Sequence, residues 1–143
     1  MKFNVDVTVE TDLPSGADID AANAFGIFAM SQQALMDSNF YCKEDQGTLI
    51  DSSLIYDSIP YSEIESSDLD TLINSYRNTI SSHPNECELA WVTPYAKKQY
   101  YLESASKDPN SNAQMMWFHK AKDVHYDEWQ TAYTKGFMKG LKK

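Results

Sequence analysis

Cysteine, histidine, glycine and proline are all scarce in this sequence, and each shortage removes a class of explanation. There are two cysteines, three histidines, five glycines and five prolines in 143 residues. Two cysteines far apart, Cys42 and Cys87, make neither a disulfide framework nor a CxxC pair, so free thiols in a reducing compartment are expected. The glycines are scattered and form no phosphate-binding loop. There is no HExxH, and His119 and His125 lie about 240° apart around one helix, so they share no metal. No apolar run approaches the length of a membrane span. The opening MKFNVDVTVETDL lacks the apolar core of a signal peptide. Basic residues are scarce in one half only. Residues 1–75 hold 2 Lys/Arg against 14 Asp/Glu, a balance of −12, and residues 76–143 hold 10 against 7, a balance of +3. Tight binding of a phosphate backbone needs clustered Lys/Arg, which the first half lacks.

What is abundant is aromatic. Aromatics make up 13% of the chain and nine residues are Tyr, a flat apolar body with a polar tip that suits half-wet surfaces. Hydrophobic residues at 42% and charged residues at 23% are ordinary globular values. The length fits one domain, 1–143, with a real core.

The segment FNVDVTVE alternates with period two and reads as a half-buried strand over residues 3–10. It either completes the chain's own sheet or adds to a neighbour's edge. After TDLPSG, residues 17–40 read as a long helix, with Ile19, Ala22, Phe25, Phe28, Gln32 and Leu35 at helical spacing. Asp18 and Asp20 favour its first turn, and Gly26 inside it marks close packing. TLIDSSLIYDSIPY reads as a strand or extended loop. IESSDLDTLINSYRNTISSH reads as a second helix, capped at Ser67 or Asp68, with Leu69, Leu72, Ile73, Tyr76 and Ile80 on its apolar face. ECELAWVTPY is a strand in which Cys87 is a small core residue. AKKQYYLES is a short helix or a continuation. Asn110, Ser111 or Asn112 is expected to cap a last helix, AQMMWFHKAKDVHYDEWQTAYTKGF, followed by a basic tail, MKGLKK. The resulting fold class is α+β, with a small, mostly antiparallel sheet packed against a long N-terminal helix and a C-terminal helix.

No residue set supports catalysis. Neither cysteine is spaced to pair with a histidine, and the carboxylates of residues 37–70 sit in polar stretches. Asp123, Asp127 and Glu128 read as a solvated helix face, and His125 as a half-buried histidine with a hydrogen-bond partner. No enzyme activity, cofactor or metal is expected. Tyr100, Trp117, Phe118 and Trp129 read as core, with Tyr95 and Tyr101 covering its edge. The polar loop 102–112 reads as an interface, and Gly47 as a turn glycine with positive φ.

The string AWVTPYAKKQYY, the Asp-Pro-Asn turn and WFHKAKDVHYDEW together resemble the C-terminal half of the minor capsid protein family of Firmicutes siphophages, which belongs with the HK97-type tail-completion and head–tail neck proteins. The matching positions are Tyr95, Ala96, Lys97, Lys98, Gln99, Tyr100 and Tyr101, then Trp117, Phe118, Ala121, Lys122 and Trp129. Upstream, residues 45–52 are similar to that family's Gly-Thr-Leu element, with Ile50 where a basic residue is usual and Lys43 where a proline is frequent. The resemblance covers most of residues 17–133. It implies a structural virion protein at the head–tail junction, a non-enzymatic subunit of a homo-hexameric ring. It also implies neighbouring neck and tail proteins (stopper or adaptor, tail terminator, tail tube) as partners, with DNA passing nearby unbound and no membrane. The interface and packing candidates it gives are Gly47, Leu49, Tyr95, Lys97, Lys98, Tyr100, Tyr101, Trp117, Phe118 and Trp129. A second reading of the charge asymmetry is a small acidic DNA mimic that blocks a nucleic-acid-binding partner.

Overall fold

The computed structural model describes residues 2–5, 17–43, 48–56, 58–82, 87–93, 95–102, 108 and 110–141. Two helices of 25 residues each, α1 (Ala17–Tyr41) and α7 (Trp117–Leu141), lie antiparallel against each other along most of their length. Small residues make this possible. A Cβ added to Gly136 would lie 2.7 Å from the Phe25 carbonyl oxygen and 2.8 Å from the Ala29 Cβ. One on Gly26 would lie 2.7 Å from the Tyr133 ring, and one on Gly140 2.7 Å from the Ala22 Cα. Gly136 and Gly140 are four residues apart, so they share one face of α7. The helices therefore meet backbone to backbone, closer than ordinary side chains permit.

α1 is buried on more than the one stripe expected. Ala22, Phe28 and Leu35 are buried, but so are Ile27, Met30 and Ala34. A helix apolar on several sides belongs in the middle of a domain, and α1 is sandwiched between α7 and a sheet. That sheet has four antiparallel strands in the order β1-β4-β2-β3. They are β1 (Lys2–Val5), β2 (Ser53–Ile55), β3 (Ile59–Pro60) and the central β4 (Cys87–Trp91). β1 pairs within the chain, Phe3 opposite Leu89 and Val5 opposite Cys87. Cys87, Leu89 and Trp91 alternate onto the buried face of β4. The fold is α+β, with helices far outweighing the small sheet.

Three expectations need correction. TLIDSSLIYDSIPY is not one extended segment. It opens as a helical turn, α2 (Thr48–Asp51), and then forms the β2–β3 hairpin. Left-handed Tyr56, at φ 52°, reverses the chain there. The second helix is three short ones: α3 (Tyr61–Ser66), α4 (Leu69–Ser75) and α5 (Arg77–Ser81). Asp68 caps as expected, but its side chain accepts from the Thr71 N–H at 2.8 Å, which starts a new helix and ends the old one. Leu72, Ile73 and Ile80 still face the core. The last helix starts later and ends later than expected. It begins at Trp117 and runs through Gly140 to Leu141, where Lys139 meets Asp70 of α4 at 3.0 Å. Gly140 continues the helix because packing on Ala22 outweighs glycine's low propensity. His83 to Glu86, which hold the expected His-Pro-Asn helix stop, lie outside the described residues, as does Gly47.

At a free helix position, Gly136→Ala would stabilise by about 1 kcal/mol through helix propensity. Here the contact with the Phe25 backbone reverses the sign. We expect G136A to lose about 1–3 kcal/mol in urea unfolding through overpacking, with the exposed neighbour Lys135→Ala near neutral.

Candidate functional site

The tyrosine segment forms α6 (Ala96–Tyr101), a helix of six residues with two unlike faces. Ala96 and Tyr100, four apart, are fully buried. Tyr100 meets Trp117 edge-on at 4.7 Å between ring centroids, and Trp117 meets Trp91 edge-on at 5.8 Å. The Tyr100 carbonyl accepts the Met116 N–H at 2.7 Å. Its hydroxyl accepts the His119 N–H at 3.3 Å and pairs with His119 Nδ1. Burial raises the phenol pKa well above its ordinary value. Met116, at φ 52°, makes the sharp turn into α7. Tyr100 thus fixes where α7 begins. Farther along, Phe118 stacks on Trp129 at 5.9 Å, and the Trp129 indole donates to Asp37 Oδ2 at 2.7 Å.

Two polar residues tie the segment down. Lys43 is 2% exposed, and its ammonium donates to the carbonyls of Gln99, at 2.7 Å, and Leu102. A buried cation on the carbonyls at the C-terminal end of α6 suits both their remaining hydrogen-bond capacity and the helix dipole. Asn110 was one of three candidates, with Ser111 and Asn112, to cap the last helix. Its side-chain amide instead donates to the Phe40 and Cys42 carbonyls, at 2.9 and 2.8 Å, and closes the C-terminal end of α1. On the core side, the Trp91 indole donates to Asn39, which donates to Ser53, which donates to the Ile50 carbonyl. Every donor in that buried chain has an acceptor.

The expected site residues therefore divide. Leu49, Tyr100, Trp117, Phe118 and Trp129 are core and present nothing to a partner. Tyr95 is half-buried against the core. Lys97, Lys98 and Tyr101 are exposed on the outer face of α6. Tyr101 is 54% exposed and is followed by Leu102 at 43%, with Val92 at 53% just before the helix. Sequence reasoning missed Val92, whose place at the end of a buried strand disguised it. Of the loop 102–112, residues 103–107 and 109 lie outside the described residues.

The thiols are sealed. Cys42 and Cys87 are free and buried, and burial pushes both up, Cys87 to about 12. His125 is half-buried as expected, with Nδ1 2.9 Å from Glu128 Oε2 and Nε2 3.4 Å from the Tyr41 hydroxyl. A shallow cleft between α1, α4, α5 and the end of α7 is lined by Phe25, Ile73, Arg77 and Gly140. Neither the family models, the curated proteins nor the solved structures compared with this chain give a match.

Native protein at pH 8 should show no thiol reacting with a disulfide reagent on the timescale of free cysteine, and two reacting after unfolding. A native thiol that reacts fast, or fewer than two on unfolding, would contradict the sealed positions.

Proposed function

We propose that this chain is a structural assembly subunit, and that the outer rim of α6 is the surface through which it meets its neighbours. The observation that carries this is the exposure of Val92, Tyr101 and Leu102 beside Lys97 and Lys98 on a helix whose inner face is locked into the core. An aromatic and two aliphatic side chains flanked by cations fit the anatomy of an interface core and rim. The rim is held rigidly by Tyr100 and Lys43, which lowers the ordering cost of association.

The chain also carries a surface that would receive it. Asp51 and Glu65 are exposed and flank Tyr61, whose phenol is raised by burial and by these two carboxylates. A basic rim on one copy meeting an acidic face on the next is a heterologous contact, the kind that closes into a ring. The resemblance in residues 17–133 to siphophage minor capsid and neck proteins supports placing that ring at a virion's head–tail junction. There it would contact stopper, terminator and tail-tube proteins. The acidic first half would keep passing DNA from sticking. This reading assigns the chain no reaction and no cofactor.

Native mass spectrometry across a concentration series tests the reading. Wild type should give a discrete ring-sized species that dissociates with added salt. Tyr101→Glu with Leu102→Glu should leave a monomer with unchanged far-ultraviolet circular dichroism. A wild-type chain that stays monomeric at every concentration, or a ring that survives both substitutions, would overturn it. A monomer that binds a basic protein with steep salt dependence would favour the DNA-mimic reading instead.

A further inference from the structure

One group of side chains lies outside everything described so far as packing or rim. Asp37 on α1 and His125 and Glu128 on α7 bring one ligand atom each to within 4.8 Å of one another. His125 and Glu128 are three residues apart, so they share a face of α7. Asp37 reaches them across the helix seam. We propose that these three residues bind one divalent transition-metal ion, which clasps α1 to α7 near the seam's polar end.

The donor set argues for the class of metal. One imidazole nitrogen with two carboxylate oxygens suits zinc and its first-row neighbours, and suits calcium or magnesium, which favour all-oxygen sites, less well. Two carboxylates neutralise a divalent charge. Around zinc, bonds of about 2.0–2.2 Å bring ligand atoms to roughly 3–3.5 Å from each other. His125 Nδ1 and Glu128 Oε2 already lie 2.9 Å apart, so the adjustment falls between Asp37 and that pair.

The surroundings are those a ligand set needs. The Asp37 carboxylate is held on both oxygens, by the Trp129 indole on Oδ2 at 2.7 Å and by the Gln33 amide on Oδ1 at 3.0 Å. Trp129 is itself fully buried. The His125 ring turns Nε2 toward the Tyr41 hydroxyl and Nδ1 toward Glu128. With the proton on Nε2, Nδ1 is left with its lone pair facing the two carboxylates, the arrangement in which outer partners orient a metal-binding histidine. A solvent-open cleft lined by Gln33, Glu128, Thr131 and Lys135 adjoins the group and gives an ion a way in and water a coordination position. The sequence hid this site because its two histidines on α7 do not face each other, and the third ligand comes from the other long helix.

The test uses the full chain without an affinity tag, stripped with chelator. Titration with zinc chloride should show one equivalent bound, and saturating zinc should raise the melting temperature by a few degrees. Cobalt chloride should give visible absorption bands of a bound ion. His125→Gln and the exposed Glu128→Gln should each lose zinc affinity by tenfold or more with unchanged circular dichroism. Gln33→Ala, which releases the Asp37 Oδ1 contact, should lose about tenfold. The nearby exposed Asp123→Asn should bind as wild type. Absence of saturable binding would overturn the proposal and leave a metal-free His125–Glu128 pair. So would binding that H125Q and E128Q leave intact.

Discussion

The backbone contact between Gly136 and Phe25 sets the geometry of this protein. With no side chain at Gly26, Gly136 or Gly140, α1 and α7 approach until main chain meets main chain. Close approach multiplies weak dispersion contacts along a long seam. It also fixes register, because only the small or backbone groups facing each glycine leave room for such an approach. Once register is fixed, the polar pairs fall into place: the Tyr133 hydroxyl on Asn23, and the Trp129 indole on Asp37. These pairs follow from the seam and would not form one turn out of step.

The rest of the fold hangs from this spine. The sheet covers the other side of α1, and β4 delivers Trp91 to the Asn39–Ser53 chain. α6 then docks through Tyr100 against Trp117, the first residue of α7. The segment that joins sheet to spine is thus clamped at its C-terminal end, by Tyr100 inside and by Lys43 on its last carbonyls. Its outer face is left over, rigid and partly apolar, and that is the surface on which the assembly reading rests.

Much of this was legible in the sequence where the signal is local. Helical spacing gave α1, period two gave β1, and a cap at Ser67 or Asp68 followed from side-chain chemistry alone. The aromatic core of Tyr100, Trp117, Phe118 and Trp129 followed from their clustering at helical and strand positions. What was illegible depends on partners distant in sequence. The last helix was expected to end at Phe137, before Gly140, because propensity says nothing of Ala22 across the seam. Asn110, Ser111 or Asn112 looked like a cap for the helix after it, but the helix starts only at Trp117 and the Asn110 amide donates to carbonyls at the end of α1. The role of Lys43 was not legible, because its carbonyl acceptors lie 56 and 59 residues away at the end of α6.

Hydrogen exchange followed by mass spectrometry tests the primacy of the seam most directly. If the glycine contacts hold the fold together, the amides of residues 22–35 and 129–140 exchange last and exchange together, in one cooperative opening. If residues 129–140 exchange early while α1 and β4 stay protected, the seam is a surface attachment and the constraint lies elsewhere.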